Sequence, residues 1–220
     1  FSYQFVLESP ALINQYLSKN TNDDQHLKDL GYSNTYKILT FLIKYFTQSN
    51  SIAVSFGSPL DVFGNRVNNN GDKIEDNNLS FLKNNKSEIL NKLSDKIIEE
   101  LMRGTVVFPS LLMAFVAFEI IQKRFIKMDI NSLLYLPEDE LCIEINYFKK
   151  YYKKANDYIQ EISDHKRIKK SPDLELPLEK QIKIGCKNLG LYHAVKPLKL
   201  SENQLKIKNF KMLYYYRNRL

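Results

Sequence analysis

Residues 51–67, SIAVSFGSPLDVFGNRV, constrain the fold more tightly than any other stretch of the chain. Ile52, Val54 and Phe56 alternate with small or polar residues, the period of a half-buried strand, and Gly57, Pro59 and Gly64 then break the pattern. Glycine permits a positive φ and proline withdraws a backbone donor, so the strand ends beside Gly57 in an ordered turn. Gly64 is expected at positive φ in that turn. Asp61, Asn65 and Arg66 cluster behind it, and two readings of the cluster stand side by side. A guanidinium matches a phosphate bidentately, which makes Arg66 a candidate substrate-binding residue. Alternatively, Asp61 accepts local backbone N–H bonds and pins the loop. We favour the second.

The rest of the chain supplies elements around this one. Residues 1–7 are strand-like, residues 10–17 suit a helix with Pro10 in its first turn, and residues 21–30 form a polar connection. An apolar helix over residues 36–46 leads into the strand at Ser51. Residues 68–85 are rich in Asn, Asp and Gly, with Asn70-Gly71-Asp72 as a turn signal, and read as an exposed loop or linker. In residues 87–102 Leu90, Leu93, Ile97 and Leu101 recur at helical steps and give one apolar stripe. Residues 105–118 are apolar almost all round a helix that Pro109 opens; the run ends at Glu119, too short to span a bilayer, and reads as a core helix. The expected organisation is therefore an α/β part over residues 1–67, the linker over 68–85, and a mainly helical region over 86–220.

A formal net charge of +7 favours an anionic partner, either nucleic acid or an acidic bilayer. The basic residues concentrate in residues 147–170, where Lys149, Lys150, Lys153, Lys154, Lys166, Arg167, Lys169 and Lys170 interleave with aromatics. Phe148, Tyr151, Tyr152, Ala155, Tyr158, Ile159 and Ile162 fall at helical steps, so these side chains are expected on a buried face with the lysines in water. That arrangement suits a solvated face first and a lipid- or phosphate-facing patch second. A single-stranded nucleic-acid platform needs exposed aromatics, which makes nucleic acid unlikely. Cys142 and Cys186 are isolated thiols without metal-ligand spacing. The neighbouring carboxylates Glu99-Glu100 and Glu138-Asp139-Glu140 point in different directions on a helix and are expected in solvent, not in an acid–base pair.

Ser55-Phe56-Gly57-Ser58-Pro59-Leu60-Asp61-Val62-Phe63-Gly64-Asn65 resembles a segment of the bacterial glycerolipid acyltransferases, the glycerol-3-phosphate and lysophosphatidate acyltransferase family. Residues 1–17, residues 103–119 and the terminal LYYYRNRL also look like segments of that family, as does Tyr192-His193. The resemblance implies the carboxyl-side part of an acyltransferase α/β domain followed by a mainly helical region. It also implies a parent enzyme that is peripheral at the cytoplasmic face of an anionic membrane surface. That enzyme moves an acyl group from acyl-CoA or acyl carrier protein to glycerol 3-phosphate or its 1-acyl derivative and needs no further cofactor. In this family a His acts as general base on a glycerol hydroxyl while an Asp five positions on orients the imidazole. Position five after His26 is Gly31, after His165 it is Lys170, and after His193 it is Leu198, so the chain holds no such pair and no catalytic residue is assigned. The pair is expected upstream of Phe1, with the chain alone inactive. A basic helical module for nucleic acid or acidic partners is the alternative.

Overall fold

The computed structural model describes residues 2–4, 39, 42, 43, 46, 53–74, 86–164, 168–191 and 196–218. Strand β1 (Ser2–Gln4) pairs antiparallel with β2 (Ala53–Ser55), Ser2 opposite Ser55. Helix α1 (Lys86–Gly104) is followed by β3 (Val106–Val107), and α2 (Pro109–Arg124) begins where Pro109 occupies the first turn, a position that loses no hydrogen bond. A short α3 (Ile130–Leu133) starts at Asp129, whose carboxylate accepts from the Ser132 N–H at 3.0 Å. Strand β4 (Cys142–Glu144) leads straight into α4 (Ile145–Asp164). Strand β5 (Lys169–Lys170), a 3₁₀ turn over Pro172–Glu175 and α5 (Leu178–Asn188) follow, then β6 (Leu198–Leu200), β7 (Gln204–Ile207) and α6 (Phe210–Arg217).

The molecule is thus mixed α/β, helices with small sheets. The region after residue 86 is mainly helical but carries sheets of its own. Strands β4, β7 and β6 form an antiparallel sheet in that order, and β3 pairs with β5 in parallel.

Helix α2 is the axis of the core. Leu112, Met113, Ala114, Val116, Ala117, Phe118, Ile120 and Ile121 are all buried, as expected for a helix apolar on nearly every side. It packs against α4, α5 and α6. At the α5 contact Gly185 lets the helices close up: a Cβ there would lie 2.6 Å from Met113 Sδ and 2.8 Å from the Pro109 carbonyl oxygen. At the α6 contact Phe118 stacks on Phe210 with ring centroids 5.2 Å apart, and Arg217 lies over Phe118 while donating to Glu119 at 3.1 Å. Tyr215 and Tyr216 are buried and Tyr214 packs partly buried against Phe118, so these three tyrosines serve packing.

Two expectations about the basic segment need correction. The basic segment is a helix only to Asp164; Lys169 and Lys170 lie in β5. Phe148, Tyr152 and Ile159 do face the core and Tyr151 and Ala155 pack partly buried against it, but Tyr158, at the flank of the stripe, is exposed. The apolar stripe of α1 is regular yet Leu90, Ile97 and Leu101 remain largely exposed. Among residues 36–46, Leu39, Leu42, Ile43 and Phe46 are helical and exposed. The helix and connection expected over 10–17 and 21–30, residues 75–85 of the linker, His26, His165, His193 and Tyr192 lie outside the described residues.

Candidate functional site

Strand β2 ends at Ser55, and residues 56–67 fold back into a compact loop held by one carboxylate. Asp61 Oδ1 accepts from the N–H groups of Phe63 at 2.9 Å and Asn65 at 2.8 Å, and Oδ2 accepts from the Asn65 side-chain amide at 2.8 Å. Burial raises the Asp61 carboxyl, but these hydrogen bonds and the nearby Lys73 charge outweigh it and hold the group below its usual range. The pinned loop is the reading favoured from the residues. Gly64 has φ 78° and is buried, and a Cβ on it would stand 3.2 Å from the Leu93 Cα of α1. Bridges Leu60↔Arg66 and Val67↔Lys73 extend the loop into a second turn, where Asn68 Oδ1 accepts from Asn70 and Asp72 N–H at 2.9 Å each. The described part of the 68–85 segment is exposed yet ordered by these bonds.

Glu100 fastens this loop to α1. Its Oε1 receives Arg66 Nη2 at 2.7 Å and Arg103 Nη1 at 3.4 Å, while Oε2 receives the Ser58 N–H at 3.1 Å. The side chain is only 13% exposed, which corrects the expectation that both Glu99 and Glu100 sit in solvent. Glu99 does stay outside, paired with Lys96 and Arg103. Sequence carried a signal for this: Glu100 interrupts the apolar progression Leu93, Ile97, Leu101 on the same helix face, where an acid needs a partner. A second tie, Lys169 Nζ to Ser55 Oγ at 2.6 Å, joins the end of β2 to β5 and had no signal in either local pattern.

Between the loop and α1 lies an open groove of about 450 Å³. Val62 and Leu60 line one side, Leu93, Ile97 and Leu101 the other, with Ser55, Ser58, Asp61 and Glu100 supplying polar atoms. Arg66, the one substrate-binding candidate, is brought beside this groove but with Nη2 on Glu100. A guanidinium has five N–H donors, so this bond leaves others for an anion. Asp61 spends its oxygens on the loop, and Glu100 spends both of its own. Neither carboxylate is placed to remove a proton from a substrate. Among the described residues no group of three His, Cys, Asp or Glu side chains is arranged to hold a metal ion. Cys142 and Cys186 are free, and burial pushes the Cys186 thiol up, away from reactivity. Among the described residues no helix is long and apolar enough to cross a membrane.

The chain matches no protein-family profile, no curated protein and no solved structure.

Proposed function

We propose that the chain is the carboxyl-side part of a glycerolipid acyltransferase of phospholipid synthesis, with the groove between the 56–67 loop and α1 holding part of the acyl group. The observation that carries the reading is the SFGSPLDVFGN segment itself: the residues that resemble the family form a pinned loop that walls an apolar groove. Val62, Ile97 and Leu101 offer the hydrocarbon contact that an acyl chain needs, and a mostly pre-formed cleft with few polar groups is the usual form of a small-molecule site. Arg66 is the proposed contact to a phosphate of the acceptor or donor, held in place by Glu100. The sequence holds no His-x-x-x-x-Asp pair, so the proposal puts that pair upstream on the parent polypeptide and expects no turnover from the 220 residues alone.

The test is equilibrium binding of a long-chain acyl-CoA to the chain, with free CoA as competitor. Binding that free CoA does not displace, and that Ile97→Arg weakens at least tenfold while melting is unchanged, is the expected result. Equal binding by wild type and Ile97→Arg, or full displacement by CoA, removes the groove from the account.

A further inference from the structure

Strand β2 alternates in burial, with Val54 54% exposed and Ser55 3%. Ser55 closes the strand and lines the groove between the 56–67 loop and α1. Lys169 reaches it from β5, whose backbone is fixed beside the end of α1 by pairing with β3 and by Lys169 N–H on the Thr105 carbonyl at 3.2 Å. Its Nζ donates to Ser55 Oγ at 2.6 Å. A lysine ammonium has donors and no acceptor, so the Ser55 hydroxyl cannot return the bond and its proton turns elsewhere. Among the described residues that O–H has no acceptor and Lys169 enters no ion pair. A buried donor left in this way at a cavity wall is unfavourable until a ligand oxygen meets it. The acids around it are already matched. Glu100 receives Arg66 and Arg103, Glu99 receives Lys96 and Arg103, and Asp61 is spent on the loop with Lys73 nearby. Glu175 pairs with Lys170, the next residue of β5, at 3.5 Å.

We infer that the groove binds a free fatty acid, whose ionised carboxylate accepts from the Ser55 hydroxyl while its chain lies along Leu60, Val62, Leu93, Ile97 and Leu101. Ser55 is the contact. Lys169 is a positioning residue: it fixes the direction of the Ser55 proton and sets a positive charge behind it, which favours a charged acceptor over a neutral carbonyl. The inference rests on the reading of the groove as a hydrocarbon site and names for that site a ligand with a free carboxylate, which neither a thioester nor the Arg66 contact requires.

Decanoate and methyl decanoate share a chain and a carbonyl and differ in charge, so their affinities for the 220-residue chain, measured below the concentration of aggregation and at mildly alkaline pH, test the contact. Decanoate is expected to bind the more tightly although the ester is the more hydrophobic. Ser55→Ala and Lys169→Met are each expected to weaken decanoate about tenfold, the scale of one charge-assisted hydrogen bond. Lys169→Met should leave the ester unchanged, and Lys169→Arg should keep the preference for decanoate. Because Lys169 acts through Ser55, the double variant should lose less than the product of the two single losses. An ester bound as tightly as decanoate, an equal loss of both ligands in Lys169→Met, or a double loss equal to the product overturns the inference. Ile97→Gln separates it from the reading on which it rests. If that variant weakens both ligands while decanoate has no advantage, the hydrocarbon groove stands and the carboxylate contact falls; if it weakens neither, both fall.

Discussion

Single residues decide the geometry of the candidate site. Gly64 is needed twice, for a φ of 78° that side chains rarely adopt and for the 3.2 Å clearance to the Leu93 Cα. Gly64→Val is therefore expected to cost about 2 kcal/mol or more, read as a lower urea midpoint at unchanged slope; an unchanged midpoint contradicts this account of the turn. Asp61 gives a pH signature. Its folded carboxyl lies below its ordinary value, so its contribution is full above the unfolded value and is lost as pH falls through the folded one. Asp61→Asn should lower Tm at neutral pH, and the gap to wild type should close in strong acid; a gap that is constant across pH means the charge of Asp61 is irrelevant to the loop. The turn and its pin were legible because Gly, Pro and Asp act through their own backbone. For Glu100 the sequence signals only that an acid on that helix face needs a partner; which partners it takes was not legible, because Arg66 and Ser58 are 34 and 42 positions away and only tertiary structure brings them together.

At the scale of elements, helical periodicity located α1, α2 and α4 and read α2 as a core helix, but it did not tell whether the stripe of α1 would be covered. The stripe on α1 is as regular as the one on α4, yet only α4 finds the core. Periodicity reports that a face is apolar, and burial depends on a neighbour that the periodicity does not contain. Strands of two to four residues such as β3, β5 and β6 leave too short a pattern to read, which is why the small sheets after residue 86 were missed. The α2–α5 contact yields a prediction: Gly185→Ala forces a methyl toward Met113 Sδ and the Pro109 carbonyl and should cost about 1–3 kcal/mol, although alanine is the better helix former. A Tm at or above that of wild type would show that the helices separate without cost. Within α4, the Tyr152 hydroxyl is buried and has no hydrogen-bond partner among the described residues. Removing it by Tyr152→Phe is expected to leave stability unchanged or raise it by about 1 kcal/mol, because an unsatisfied buried polar group is unfavourable. A clear loss in chemical denaturation would mean that the hydroxyl is bonded in solution.

For the whole molecule, the described parts on either side of the 68–85 segment meet directly, through Arg66 on Glu100 and Ser55 on Lys169. The groove is built from both: loop 56–67 supplies one wall and α1 the other. Acyl transfer also needs a base and an orienting carboxylate, and those groups are proposed for the polypeptide ahead of Phe1. The most direct measurement is acyl transfer by the product of the complete coding sequence, from acyl-CoA or acyl carrier protein to glycerol 3-phosphate and to its 1-acyl derivative. The account predicts a His-x-x-x-x-Asp pair upstream, turnover that its His→Ala variant loses, and none by the 220 residues alone. A complete protein with no such pair and no transfer, or a 220-residue chain that turns over and stops on His193→Ala, would contradict it.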